Sequence, residues 1–158
     1  VREYLVNYAR PLIYTTSMPP ASLAAIKVAY NALQSPQVEK MREHLKNLIL
    51  YTHTLLLKIC AGRQRLVCVE SKPPQSPIVP LFSPAPRQLA QYCQERGFIV
   101  RPIVAPTVPK GSERLRICLH AANTEKEVEA LVSAIEAWAR TTEEGPDSGQ
   151  GLGRNARL

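Results

Sequence analysis

Arg114 and Arg116 stand one residue apart at the head of an apolar run, in the stretch PTVPKGSERLRICL that covers 106 to 119. A strand that otherwise reads as buried has no structural need for two guanidiniums. In strict alternation they share one face, and Leu115 and Ile117 share the other. A guanidinium is planar, permanently charged and able to donate two parallel hydrogen bonds to a carboxylate. That carboxylate can belong to a bound molecule, or to Glu113 or a helix glutamate in an ordinary salt bridge. Thr107, between Pro106 and Pro109, has the setting of a turn residue. Thr15 and Thr16 read as β-branched residues ending a short strand.

The other reactive residue types point to little chemistry. Cys60, Cys68, Cys93 and Cys118 form no CxxC, and each lies in an apolar or amphipathic segment. Reduced core thiols in an intracellular compartment are expected, with no metal site. The net charge of +7 comes from lysines and arginines spread along helices beside glutamates, with no basic block and few aromatics. That is a solvated surface rather than a nucleic-acid groove. The apolar run LILYTHTLLLKIC is broken by His53 and Lys58 and is too short to span a bilayer. No signal peptide is visible.

The elements that must position these residues follow from periodicity. REYLVNYA (2 to 9) reads as a short helix limited by Pro11. LIYTT reads as a short buried strand. Leu23, Ile26, Tyr30 and Leu33 make one apolar stripe on a helix that Ser35-Pro36 stops. Ser35 and Pro36 also suit the N-cap and first turn of the next helix. There Val38, Met41, Leu45, Leu48, Thr52, Leu55 and Ile59 form a seam like that of a coiled coil, closed by Gly62. RLVCVE, SPIVPLF, FIVRPIV and RLRICLHA read as strands, with Pro80 demoting the second to an edge or a bulge. A helix over 86 to 96 ends at Gly97. The last helix opens with the capping box TEKE, Thr124 to Glu127, and buries Val128, Leu131, Ile135 and Trp138. The second half is therefore β-β-α-β-β-α, an α+β sandwich with an antiparallel component. From Thr141 the chain turns polar and reads as a disordered tail.

Three blocks in order carry a resemblance. ARPLIYTTSMPP (9 to 20) resembles the segment that closes the large domain of the α-oxoamine synthases, pyridoxal-phosphate enzymes of the aspartate-aminotransferase fold. SPIVPLF resembles a strand of their small domain. PTVPKGSERLRICLHAANTEKEVEAL (106 to 131) resembles their C-terminal signature. The resemblance spans roughly 1 to 140. It implies a fold-type I small domain, an antiparallel sheet flanked by helices, preceded by long connecting helices. The expected division is 1 to 20 for the end of the large domain, 21 to 62 for connecting helices, 63 to 140 for the small domain and 141 to 158 for the tail. Within the family, the wording Tyr-Thr-Thr-Ser-Met-Pro-Pro favours the branch that joins pimeloyl-CoA to L-alanine in biotin synthesis. It is less like the aminolevulinate, aminoketobutyrate and serine palmitoyltransferase branches.

The resemblance also implies roles. Arg116 would hold the α-carboxylate of the amino-acid substrate, and Thr107 would lie next to that substrate. Thr15 and Thr16 would reach the cofactor phosphate of the neighbouring subunit, in a homodimer with shared active sites. The cofactor would be pyridoxal 5′-phosphate and the substrates an amino acid and an acyl-CoA. One departure is that Val104 stands where some bacterial members carry arginine; the nearest arginine is Arg101. None of the lysines sits in the Ser/Thr-x-x-Lys setting of the Schiff-base lysine. His44, His53 and His120 match no catalytic histidine and read as helix-surface or strand residues. The expectation is a chain that is the end of a longer protein and inactive alone. Two other readings stay open: a non-catalytic partner subunit, and a helical interaction module built on 36 to 61. The last three residues, Ala156-Arg157-Leu158, resemble a variant peroxisomal address.

Overall fold

The computed structural model describes residues 1 to 13 and 18 to 143. The chain divides into two units, with the boundary after Lys40.

The first unit holds α1 (Arg2–Tyr8), α2 (Arg10–Ile13), α3 (Pro20–Leu33) and the first turn of α4 (Pro36–Cys60). Of the strand expected over LIYTT, the two described residues are helical instead. Leu12 and Ile13 lie in α2, and the Ile13 N–H donates to the Ala9 carbonyl (3.1 Å). Pro11 explains the outcome: in the first turn of a helix its missing N–H costs nothing and its φ is already suitable. Tyr14, Thr15 and Thr16 lie outside the described residues. Helix α3 has its expected extent, yet its stripe of Leu23, Ile26, Tyr30 and Leu33 is exposed.

The second unit is built on a three-stranded antiparallel sheet of β1 (Ile78–Phe82), β2 (Arg101–Ile103) and β3 (Arg114–Cys118), in the order β1-β3-β2. Helices α4 from Met41 onward, α5 (Pro86–Gln94) and α6 (Glu125–Glu143) join the inner face of the sheet in one core. That face presents Val79, Leu81, Leu115 and Ile117, all buried. The helices contribute Leu48, Leu56, Leu89, Ile135 and Trp138, among others.

Strand β1 is an edge strand, as Pro80 requires, and its register with β3 runs without a bulge. The Phe82 N–H points away from β3, to the Cys68 carbonyl (2.7 Å). By alternation position 80 also points its nitrogen outward, where a proline has no ladder bond to lose. The strand expected over RLVCVE reduces to a single bridge between Cys68 and Phe82. Val67 and Val69 are buried there, so the alternation is real. However, Leu66 and Val67 donate their N–H groups to the Arg63 carbonyl in a turn, which leaves only Cys68 to pair.

The seam of α4 is partly revised. Leu48, Thr52 and Ile59 are buried, but Ile49, His53, Leu56 and Cys60 are buried beside them, and Met41 is exposed. A straight helix of 3.6 residues per turn drifts off a strict heptad line, so its buried stripe widens. His53 is thus an interior residue, not a surface one; its Nε2 donates to the Glu70 carbonyl (2.7 Å). Helix α6 forms the expected capping box: the Thr124 N–H donates to Glu127 Oε2 (2.8 Å), and the Glu127 N–H to Thr124 Oγ1 (3.3 Å). It runs to Glu143, so Thr141 to Glu143 are helical rather than tail. No helix among the described residues is long and apolar enough to cross a membrane.

Candidate functional site

Strand β3 alternates as its sequence requires. Leu115 and Ile117 enter the core; Arg114, Arg116 and Cys118 lie on the outer face. Across the ladder, Arg114 is flanked by Phe82 and Ile103, and Arg116 by Pro80 and Arg101.

The two arginines have different surroundings. Arg114 Nε donates to the Ser112 carbonyl (3.0 Å), and its guanidinium stands 4.7 Å from the centre of the Phe82 ring. It is held in place by a backbone bond and a cation–π contact rather than by a salt bridge. Arg116 is exposed and has no hydrogen-bond or ion-pair partner among the described residues. Glu113, the carboxylate next to the pair, accepts instead from the Gly111 N–H (2.6 Å). Gly111 has φ +85° at the third position of a turn closed by the Ser112 N–H on the Pro109 carbonyl (3.0 Å). That is the glycine position of a type II turn. The turn therefore holds the Glu113 carboxylate beside its own backbone.

Thr107 is exposed in the loop between β2 and β3, and its N–H donates to the Val104 carbonyl (3.0 Å). The preceding Ala105–Pro106 peptide is cis. No hydrogen bond joins Thr107 to Arg116. Thr15 and Thr16, expected at the cofactor phosphate, lie outside the described residues.

Arg101 was noted in the sequence only as the arginine nearest to Val104. The ladder sets it directly opposite Arg116. Register across a loop of this length depends on how its turns fold, so no spacing rule marks the pairing. Beyond that pair the two strands part. An open groove of about 590 Å³ lies there, lined by Arg101 and Arg116 and by Phe98, Val100, Leu119 and Leu131.

The remaining reactive groups are accounted for by packing. Burial raises the thiols of Cys60 and Cys93 to about 11, with Cys68 adding to the effect at Cys60. Cys118 is exposed and Cys68 half-buried, so only two of the four are core thiols, and all four are free. His44 donates from Nε2 to the Asn123 carbonyl (2.9 Å). No cluster of metal-ligating side chains occurs among the described residues.

Lys27, Lys40, Lys46, Lys58, Lys72, Lys110 and Lys126 are all exposed. A Schiff-base lysine needs a site that holds it against the cofactor ring. None of these is held so, and the described residues by themselves do not fit pyridoxal 5′-phosphate.

Comparison with known proteins places this geometry. The 8-amino-7-oxononanoate synthase of Emericella nidulans is 44% identical over 142 residues, which is 90% of this chain and 34% of that protein. The enzyme of the same name from Stutzerimonas stutzeri is 39% identical over 147 residues, 92% of this chain and 36% of its own. The chain thus spans about a third of the length of these curated relatives. Among solved structures, 8-amino-7-oxononanoate synthase from Francisella tularensis matches with TM-score 0.66 and 25% identity, over 89% of this chain and 39% of that one. Sphingomonas wittichii serine palmitoyltransferase matches with TM-score 0.69 and 25% identity, over 92% and 35%. The sequence model of aminotransferase class I and II matches residues 1–135, and the chain belongs to that family.

Proposed function

We propose that the protein carrying this chain is an 8-amino-7-oxononanoate synthase. It would join pimeloyl-CoA to L-alanine and release carbon dioxide and coenzyme A. The observation that carries this reading is Arg116, an exposed guanidinium without a partner among the described residues, at the arginine of the family's C-terminal signature. A paired arginine would serve the fold. An unpaired one on an ordered strand is pre-organised to take a carboxylate through two parallel hydrogen bonds. The two relatives at 39% and 44% identity, each across about nine-tenths of this chain, favour alanine and pimeloyl-CoA. Aminolevulinate synthase, aminoketobutyrate ligase and serine palmitoyltransferase chemistry are the alternatives within the same reading.

The cofactor would be pyridoxal 5′-phosphate, with its lysine supplied by residues other than those described, so this chain alone would be inactive. Thr15 and Thr16 would donate to the cofactor phosphate of a second subunit in a homodimer, and Thr107 would border the amino acid. The division at 1 to 20, 21 to 62, 63 to 140 and 141 to 158 belongs to the same reading.

The test is the visible absorbance of the whole protein, loaded with cofactor, as amino acids are added. Alanine is expected to shift the band, and Arg116→Gln to weaken alanine binding about 10- to 100-fold. A shift with glycine or serine but not alanine would move the reading to another branch; an Arg116→Gln protein with wild-type affinity would end it. Ala156-Arg157-Leu158 is proposed as a peroxisomal address. A fluorescent fusion to the tail should collect in peroxisomes, and loss of Leu158 should disperse it.

A further inference from the structure

Arg101 and Arg116 are direct cross-strand partners in the antiparallel β2–β3 ladder, so their side chains leave the same outer face of the sheet. Both are exposed, and neither has a hydrogen-bond or ion-pair partner among the described residues. Like charges directly opposite one another are unfavourable in such a pair. A charge on an edge strand such as β2 can serve only to discourage pairing with another sheet. Such a guard works from any outward position and needs no arginine. Opposite Arg116 it adds repulsion.

The surroundings do not relieve that repulsion. On the other flank of Arg116 stands Pro80, which brings no charge. Glu127 lines the same groove as the two arginines. Its carboxylate accepts from the Thr124 N–H (2.8 Å) and makes no ion pair with either of them. The backbone under the pair is constrained as well. Arg101 precedes Pro102, which restricts it to an extended conformation. Arg116 sits in the central strand of the sheet.

Direct partners of this kind have Cβ atoms about 4.5–5.5 Å apart. Two guanidinium forks on such a base can meet on one small anion. A carboxylate offers about four lone-pair sites on its two oxygens. One fork takes two of them, and the second fork can take the others.

We propose that Arg101 is a second binding residue for the α-carboxylate of the amino acid, which it grips together with Arg116. This deepens the reading above, in which Arg116 holds that group, and rests on it. A carboxylate seated between the pair turns one repulsion into two attractions, so each arginine raises its affinity. Contacts from two strands also fix the orientation of the carboxylate more closely than one fork does.

The test measures binding of L-alanine and of L-alaninamide, whose carboxamide is uncharged, to the whole protein. Titration calorimetry and the shift of the visible band are the two readouts. Arg101→Gln should weaken alanine about 3- to 10-fold, the range of one net hydrogen bond, and leave alaninamide unchanged. Arg101→Lys should recover part of the loss, because the charge remains while the planar fork is gone. The melting temperature of Arg101→Gln should equal or exceed that of wild type, since a like-charge pair is removed. Unchanged alanine affinity in Arg101→Gln, an equal loss for both ligands, or a lowered melting temperature would each overturn the assignment. Arg116→Gln separates this proposal from the reading beneath it. Wild-type alanine affinity in Arg116→Gln would end both. Weaker alanine binding in Arg116→Gln but not in Arg101→Gln would end this proposal alone.

Discussion

The described part of Val1–Lys40 and the unit that begins at Met41 use the same grammar with opposite results. Both carry apolar residues at helical spacing. In the second unit those stripes close a core: Leu56, Leu89, Leu115 and Ile135 have no exposed surface. In the first, α1 and α3 bury nothing, and Leu23 and Tyr30 remain 53% and 64% exposed. Isolated helices of this length are marginal in water, because most helical stability comes from packing an apolar face. A stripe announces which side of a helix is to be covered. It does not name what covers it.

The largest test of this contrast is truncation. Leu115→Ala or Ile135→Ala in the 158-residue chain should cost about 2–5 kcal/mol in urea unfolding, from lost burial plus the cavity left behind. Ile26→Ala on α3 should stay within about 0.5 kcal/mol. Equal losses at both sites would erase the distinction between the units.

Cysteine reactivity sharpens the map of the core. A thiol raised to about 11 is almost wholly protonated at pH 8, and the thiolate is the nucleophile. Cys118 should therefore label first with a maleimide, and Cys60 and Cys93 at least about 100-fold more slowly until the chain unfolds. Mass spectrometry of partly labelled protein reads the order directly.

A smaller effect is expected at the α6 N-terminus. Thr124→Ala should cost about 1 kcal/mol, since the cap satisfies an otherwise orphaned N–H. The Thr124 backbone N–H and then the Asn123 side chain hold the Glu127 carboxyl below its ordinary 4.5. A lowered folded value makes the contribution complete above the ordinary one and lost as the pH falls through the lowered one. The stability gap between wild type and Glu127→Gln should thus be open at neutral pH and close in acid, as followed by thermal melts.

The smallest effects separate the two arginines. Arg114→Gln removes a cation–π contact and should cost about 0.5–1 kcal/mol of stability. Arg116→Gln should leave the melting temperature of the chain unchanged, because no described partner loses a bond. A measurable loss there would mean that Arg116 serves the fold.

The sequence by itself determined the α+β class, the capping box of α6, the exclusion of Pro80 from a regular central strand and the alternation of β3. Each follows from residues close in the chain: a hydroxyl three positions before a glutamate, a missing N–H, a period of two. The family signature around Arg116 was legible for the same reason. Tertiary structure decided the rest. Whether RLVCVE became a strand depended on a turn at Arg63 competing for its N–H groups. Whether His53 was inside depended on the drift of a straight helix across the core. That Arg101 faces Arg116 depended on how a loop holding two turns set the register. In all three, groups compete for partners brought near only by folding, and local spacing does not record the winner.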